Sequence, residues 1–207
     1  SRRGLTGRDG GKMQQYVDEH ETICGPFLGR VIEKALKMGE SNACMKRIVA
    51  APTAGACGVV PAVMLPMQEA CGYSDDEMTR ALYVAAGIGG VIASRAFISG
   101  AQGGCQAEVG SAASMAAGAA VYLRGGDASA IAHSAAMAMK NLLGLVCDPV
   151  AGLVEVPCVK RNVAGAVVAL SAADMALAGI RSKIPPDEVI DAMRSVGQNM
   201  PVCVRET

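Results

Sequence analysis

Cysteine is the residue in this 207-residue chain with the greatest capacity for chemistry. The eight cysteines show no close repeated spacing of the zinc-finger or ferredoxin kind. They occupy positions Cys24, Cys44, Cys57, Cys71, Cys105, Cys147, Cys158 and Cys203. Three interpretations stay open at this point: small buried hydrophobic residues, a metal or cluster site, or a catalytic thiol. Disulfides are not expected, because we predict a cytosolic protein in a reducing compartment.

Cys105 ends a glycine-rich turn over residues 99–108 (SGAQGGCQAE) and stands at the predicted start of a helix. Unpaired N–H groups and the helix dipole favour a thiolate there, the state that binds metals or attacks electrophiles. The alternative is a buried, inert cysteine. Glu108 is explained at this stage as an acidic residue that complements the dipole in the first turn.

Cys147 and Cys158 lie in a predicted apolar loop over residues 145–158 (LVCDPVAGLVEVPC) between two helices. Pro149 follows Cys147 after one intervening residue, and Pro157 directly precedes Cys158. The two cysteines are 158 − 147 = 11 positions apart. We expect a rigid loop from which water is excluded. Such a loop suits sulfurs that surround an oxygen-sensitive cluster, since burial and hydrogen bonds to sulfur tune the metal.

A third segment of unusual composition covers residues 51–58 (APTAGACG). Gly55 and Gly58 allow a positive φ and the close approach of a ligand. Turning peptides of this kind present successive N–H groups to an anion. The alternative is a tight turn between two helices.

The elements that must position these segments are predicted to be helices, and we favour an all-α fold. Residues 12–38 predict two helices with a break near Gly25, and Ser74 to Glu77 has the form of a capping box that opens a helix ending near 94 or 98. Further helices are predicted over 106–124, 128–143, 162–179 and from Pro185 to about Gly197. The only strand candidates are residues 59–60 and 154–156. Helices rich in Ala, Gly and Ser can approach closely in a compact bundle.

Composition and charge exclude several classes of protein. The chain is 51% hydrophobic but only 3% aromatic, and its 19 basic and 19 acidic residues cancel, so binding to nucleic acid through phosphates is not expected. The uncharged run over 48–68 contains three prolines and is interpreted as a buried loop with short helical or extended pieces, not a membrane span. The start of the chain lacks the apolar core of a signal peptide. We expect one domain over residues 1–207.

Four motifs in this order carry a resemblance to a known family: PTAGACG at 52–58, GCQAEVG at 104–110, CDPV at 147–150 and VPCVKRN at 156–162. With them the chain resembles the iron–sulfur-dependent L-serine dehydratases over nearly its whole length. It is most similar to their α subunit, or to the C-terminal catalytic domain of the single-chain forms.

The resemblance implies a [4Fe–4S] cluster held by Cys105, Cys147 and Cys158. Three protein ligands for four irons leave one iron open as a Lewis acid for the hydroxyl or carboxylate of the substrate. The implied reaction converts L-serine to pyruvate and ammonia. No pyridoxal phosphate is implied, and no lysine has the sequence context of a Schiff-base site.

The resemblance also places substrate contacts at Thr53, Ala54 and Gly55. Some single-chain members carry Asn at the position of Ala54, so a contact by that side chain is not carried over. The catalytic base is missing, since the family's Ser-Ser-Ser-His-Thr segment belongs to the β subunit or N-terminal domain and does not occur here. His20 is expected to be solvated, and His133 to be a satisfied or partly exposed helix residue. The resemblance therefore implies a β subunit as partner, in a heterodimer or heterotetramer.

The other cysteines receive simpler interpretations. Cys24, Cys44 and Cys71 are predicted to be small core residues. Cys57 lies inside the segment over residues 51–58, from which it can approach cluster or substrate. Cys203 is not the last residue, and its surroundings do not match the terminal cysteine of single-chain members.

Three rival interpretations of the whole chain remain. It could be an electron-transfer or redox-sensing cluster protein with four cysteine ligands. It could be a non-catalytic helical partner whose cysteines only fill the core. A zinc site is the third rival, and no histidine is spaced to support it.

Overall fold

The computed structural model describes residue 1, residues 4–148 and residues 155–205. Within these ranges the regular elements are helices. They are α1 (Asp9–Glu19), α2 (Gly25–Ala43), α3 (Val59–Cys71), α4 (Asp75–Arg95), the single turn α5 (Gly100–Gly103), α6 (Ser111–Leu123), α7 (Ala128–Lys140), α8 (Glu155–Leu177) and α9 (Pro186–Asn199). A π-helical turn (Gln106–Gly110) precedes α6, and a 3₁₀ turn (Val202–Val204) follows α9. The prediction of an all-α fold is confirmed.

The helix starts that were predicted from capping residues are observed. The Ser74 hydroxyl accepts a hydrogen bond from the Glu77 N–H, and the Glu77 carboxylate accepts one from the Ser74 N–H, so α4 begins with the full capping box. The Asp127 carboxylate accepts a hydrogen bond of 2.7 Å from the Ala130 N–H at the start of α7. The break between α1 and α2 also lies where it was expected.

The segment over residues 48–68 differs from its prediction. Its second part, residues 59–68, belongs to one continuous helix, α3, so residues 59–60 are not a strand. Pro61 fits in the first turn, where its missing N–H has no intrahelical partner to lose. Pro66 lies inside the helix and is buried, so tertiary packing holds a residue that disfavours the helix by itself.

Helix α6 forms the centre of the bundle. Every residue from Ser111 to Val121 is buried, and the helix packs against α3, α4, α7 and α8. Small residues allow this close packing: a Cβ atom on Gly118 would overlap Ile88 of α4, and one on Gly89 of α4 would lie 2.9 Å from Met115 Sδ. The Ala-rich composition is therefore explained by the short distances between helix axes.

Helix α8 begins earlier than predicted, at Glu155 and not at Asn162. The second predicted strand was wrong for residues 155–156, which are helical, while Val154 lies outside the described residues. Among the described helices, α8 alone is long and apolar enough to cross a membrane by length and composition. It packs against α2, α6 and α7, as a core helix of a bundle does.

Candidate active site

Cys105 lies at the point where the chain turns into the central helix. Gly104 before it has φ +69°, and a Cβ there would lie 2.6 Å from Met200 Sδ, so this turn requires glycine. The π-helical turn follows directly, a local geometry that is frequent at functional sites. The Cys105 side chain is 1% exposed. The prediction that Cys105 stands at a helix start is confirmed.

The side chain of Gln106 links this turn to two other segments. Its Nε2 atom donates to the Met193 carbonyl of α9 at 3.1 Å, and its Oε1 atom accepts from the Gly144 N–H at 2.9 Å. The Gln106 N–H donates to the Leu145 carbonyl at 2.9 Å. Gln106 is fully buried, and it fixes the turn after Cys105 against the segment that leads to Cys147.

Cys158 lies within the first turn of α8, and the prediction that it belongs to a loop was wrong. Residues 149–154 of that predicted loop lie outside the described residues. Cys158 is half-buried and neighbours Cys105. A hydrogen bond from the Cys158 thiol, opposed by burial and helped by the charge of Arg161, lowers the pKa of Cys105 to about 7. The same hydrogen bond, with burial, raises the pKa of Cys158.

Arg161 of α8 supplies the positive charge of this region. Its Nη1 atom donates to Cys105 Sγ at 3.1 Å and to the Val146 carbonyl at 2.9 Å. Its Nη2 atom forms an ion pair with the Asp148 carboxylate. One guanidinium group thus connects the cysteine of the π-helical turn with both neighbours of Cys147 in the chain.

Cys147 is 2% exposed, and its N–H donates to the Val204 carbonyl at 2.8 Å. Its charge contributes to the raised pKa of Cys158, so these two thiols share one environment. The structure therefore brings Cys105, Cys147 and Cys158 into the same region. Cys203 is exposed, although the neighbouring residue Val204 contacts the backbone of Cys147.

The loop over residues 51–58 packs against the same region. A Cβ on Gly55 would lie 2.6 Å from Glu108 Oε2, and one on Gly58 would lie 2.9 Å from the Ala35 carbonyl. Neither glycine has a positive φ. Contacts with other parts of this chain thus require both glycines. The expectation of a positive φ was wrong, and the close approach of a ligand stays a prediction.

Asn162 fastens the loop to α8. Its Oδ1 atom accepts from the Gly58 N–H at 2.8 Å, and its Nδ2 atom donates to the Gly55 and Cys158 carbonyls, both at 2.8 Å. The residue is 1% exposed.

Asn162, Arg161 and Gln106 stand in the family motifs, but their residue types and positions alone indicated no role for them. Their bonds join segments as distant in sequence as 107 residues, which no local pattern indicates.

The predicted substrate contacts differ in their surroundings. Thr53 Oγ1 is buried and has no hydrogen-bond partner among the described residues. Ala54 is exposed, and its carbonyl accepts from Asn42 Nδ2 at 3.0 Å and from the Cys57 N–H at 3.2 Å. The carbonyl groups of Ala54 and Gly55 are thus both engaged, which fixes the direction of the loop.

The remaining cysteines differ in part from their predictions. Cys24 and Cys71 are exposed and Cys44 is half-buried, so the prediction of core positions was wrong for the first two. Cys57 is buried, and its thiol donates to the Met38 carbonyl at 3.8 Å. Burial raises the pKa of Cys57 to about 11, which keeps this thiol protonated at neutral pH.

The two histidines lie on α7 and just after α1. His20 is exposed and stacks on Tyr16, with ring centroids 5.1 Å apart. His133 is half-buried, and its Nδ1 atom is buried without a partner among the described residues. The partial exposure of His133 agrees with the prediction, but its ring does not have hydrogen-bond partners at both nitrogen atoms among the described residues.

The donor set fits an iron–sulfur cluster by its chemistry. The three cysteines provide the thiolates that such clusters take, and the guanidinium of Arg161 offsets negative charge on one of them. In a four-iron cluster each thiolate binds a different iron, so the three sulfur atoms need not converge on one atom. In the part of the chain that the structure describes, no three His, Cys, Asp or Glu side chains are placed to hold a single metal ion.

Comparison with known proteins identifies the family. The family described as serine dehydratase alpha chain matches residues 1–207. A "Probable L-serine dehydratase, alpha chain" of Bacillus subtilis (strain 168) is 53% identical over 207 residues, 100% of this chain and 69% of that protein. One of the same name from Latilactobacillus sakei is 54% identical over 176 residues, 85% of this chain and 84% of that protein. "L-serine dehydratase 1" of Escherichia coli (strain K12) is 44% identical over 175 residues, 84% of this chain but 38% of that protein. The chain belongs to the serine dehydratase alpha chain family.

Proposed function

We propose that this chain is the alpha subunit of an L-serine dehydratase, which removes water from L-serine and yields pyruvate and ammonia. The observation that carries the proposal is the family match over all 207 residues. The geometry supports it, because the loop over residues 51–58 and the three cysteines Cys105, Cys147 and Cys158 belong to one region that Asn162 and Arg161 hold together.

In this proposal Cys105, Cys147 and Cys158 hold a [4Fe–4S] cluster. Bound in this way, the cluster supplies a Lewis acid at the iron that has no protein sulfur, which helps the substrate hydroxyl to leave. Arg161 stabilises the thiolate of Cys105 by a charge-assisted hydrogen bond. Gln106 bonds the turn after Cys105 to Gly144 and Leu145, which precede Cys147, and so fixes the two segments that carry these cysteines.

The loop of Thr53, Ala54 and Gly55 binds the substrate. The Thr53 hydroxyl is buried without a partner among the described residues, so a ligand carboxylate that accepts its hydrogen bond satisfies it. Asn162 holds the Gly55 carbonyl and the Gly58 N–H, so the loop keeps its shape when the site is empty of substrate. This preorganisation lowers the entropy cost of binding.

A second chain completes the site. Loss of water from L-serine requires removal of the Cα proton, and in the family that this chain resembles the segment Ser-Ser-Ser-His-Thr belongs to the β subunit or N-terminal domain and is absent from this sequence. Three relatives carry the words "alpha chain" in their names. We therefore propose a β subunit that supplies the base, and a cytoplasmic heteromer in which the eight cysteines stay reduced.

The test is anaerobic reconstitution with iron and sulfide in the presence of a β chain. We expect close to four irons per alpha chain, a cluster spectrum that L-serine perturbs, and release of pyruvate. Cys147→Ser is expected to lose the cluster and the activity, whereas the matched control Cys71→Ser, at an exposed cysteine, keeps both. A cluster that is reversibly reduced but ignores L-serine supports the electron-transfer alternative, and a protein without iron supports the non-catalytic one.

A further inference from the structure

A buried carboxylate lies directly against the proposed substrate loop. Glu108 is 7% exposed, and its Oε2, Cδ and Oε1 atoms lie 2.6, 3.1 and 3.2 Å from the place where a Cβ on Gly55 would be. Because Gly55 has no side chain, the carboxylate packs on the backbone of the loop itself. Glu108 belongs to the π-helical turn, three residues after Cys105. An acid that only complements a helix dipole would not need this contact.

The same carboxylate belongs to the region of Cys158. It lies against Gly55, and the Nδ2 atom of Asn162 donates to both the Gly55 and the Cys158 carbonyls, at 2.8 Å each. Carboxylate, loop and the turn of Cys158 therefore belong to one region, and Glu108 is the acid of that region that packs directly on the loop.

Burial removes the hydration of the Glu108 carboxylate, and a cation in contact with the carboxylate offsets part of that cost. L-serine brings one, because its α-amino group is protonated at neutral pH while its carboxylate carries the opposite charge. Recognition of the substrate thus calls for a negative group on one side and hydrogen-bond donors on the other.

We propose that the Glu108 carboxylate binds the α-ammonium group of the amino acid substrate, while the Thr53 hydroxyl serves its carboxylate. The assignment rests on the proposed function and deepens it, since it makes an amino group a requirement for binding. Gly55 is then necessary because any larger residue would separate the carboxylate from the loop.

The test compares two ligands on the assembled, cluster-loaded enzyme with its β chain. L-Serine carries the ammonium group, and L-glycerate has a hydroxyl in its place. For Glu108→Gln we expect the KM for L-serine to rise at least tenfold, while the inhibition constant of L-glycerate stays the same or falls, because repulsion between two anions is removed. If the KM for L-serine and the inhibition constant of L-glycerate rise by the same factor, the role of Glu108 is merely structural and the assignment is overturned.

Two further variants separate folding from recognition. Glu108→Asp keeps the charge and is expected to restore part of the affinity for L-serine. Glu33→Gln removes another buried carboxylate, 3% exposed and paired with Arg30 and Lys37 on α2, and is expected to leave the KM unchanged. An unchanged KM in Glu108→Gln, or a loss confined to kcat as expected of a general base, contradicts the assignment but leaves the proposed function standing. A wild-type complex that releases no pyruvate overturns both.

Discussion

The Nη1 atom of Arg161 donates a hydrogen bond of 3.1 Å to Cys105 Sγ across 56 residues of sequence. The bond connects helix α8 with the turn that opens the central helix α6. It places the permanent positive charge of the guanidinium next to the Cys105 sulfur. Cys105 is 1% exposed, so solvent cannot stabilise its thiolate. The reactivity of Cys105 therefore depends on residues of another helix.

Removal of Arg161 should make Cys105 a weaker acid. In the cluster-free chain we expect Arg161→Gln to raise the pKa of Cys105 from about 7 towards its ordinary value of 9.0. The measurement is the ultraviolet absorbance of the thiolate against pH, taken as the difference between each protein and the same protein with Cys105→Ser.

The neighbouring thiol gives a second comparison for this titration. Cys158→Ala should raise the pKa of Cys105 at least as much as Arg161→Gln does, because the hydrogen bond from Cys158 is its largest cause. Arg47→Gln serves as a control at an exposed arginine. A titration of Cys105 that is the same in wild type and in both variants would refute this account of its acidity.

Asn162 should be among the most sensitive polar positions of the fold. Asn162→Ala removes three hydrogen bonds and leaves the buried Gly58 N–H without its acceptor. We expect a loss of about 2–4 kcal/mol in the free energy of unfolding, which corresponds to a lower melting temperature by about 4–16 °C. Thermal unfolding followed by circular dichroism measures this.

Asn199→Ala is the matched control for that experiment. Asn199 makes the same type of side-chain bond to the carbonyl four residues earlier, at 2.9 Å, but it is exposed. Its replacement should change stability by less than about 0.5 kcal/mol. Equal losses of stability in the two variants would mean that the bonds of Asn162 to the loop contribute nothing to the stability of the fold.

Most helices could be predicted because their signals are local. The capping residues Ser74 and Asp127 and the break before Pro26 act over one turn of chain. Helix α3 was missed because its prolines oppose a helix locally and only tertiary packing allows it. The start of α8 was misplaced for a related reason, since Pro157 is compatible with a first turn but was interpreted as part of a loop.

The site was predictable in its residue types but not in its contacts. Glycines and cysteines mark the segments that meet, because close approach and sulfur chemistry limit the choice of residue. Nothing near Asn162 or Gln106 in the sequence indicates which backbone groups their amides satisfy. These hydrogen-bond partners depend on how whole helices pack against each other. The sequence pattern predicts the class of fold but not that packing.

Gly55 should tolerate no side chain. In Gly55→Ala the new Cβ would meet the Glu108 carboxylate at 2.6 Å, so the loop or the acid must move. We expect a loss of about 1–3 kcal/mol in stability and a higher KM for L-serine in the assembled enzyme. Gly87→Ala in the exposed middle of α4, where a Cβ meets nothing within 4 Å, should instead gain about 0.5–1 kcal/mol. A stabilised, fully active Gly55→Ala protein would contradict the contact.

Glu33 should make the fold sensitive to acid. Burial alone raises the pKa of Glu33, but hydrogen bonds from Lys37 at 2.6 Å and Arg30 at 2.8 Å outweigh it and leave the pKa below its ordinary value of 4.5. A lowered pKa gives stability that is complete above pH 4.5 and is lost as the pH falls through the lower, folded-state value.

Denaturant unfolding of Glu33→Gln tests this pH dependence. At pH 7 the variant should be less stable than wild type by about 1.5–3 kcal/mol. The difference should shrink steadily below about pH 4.5, where the unfolded wild type begins to take up a proton that the variant cannot bind. A difference that is constant from pH 7 to pH 3 would exclude ionisation of Glu33 as its cause.

The most direct test of the whole account is the release of pyruvate from L-serine by the anaerobically reconstituted chain, measured with and without a β chain. The account predicts sustained pyruvate and ammonia formation in equal amounts by the pair, and little or none by either chain alone. A cluster-loaded pair that leaves L-serine unchanged would contradict the proposed reaction. Full turnover by this chain alone would contradict the second chain as the source of the base.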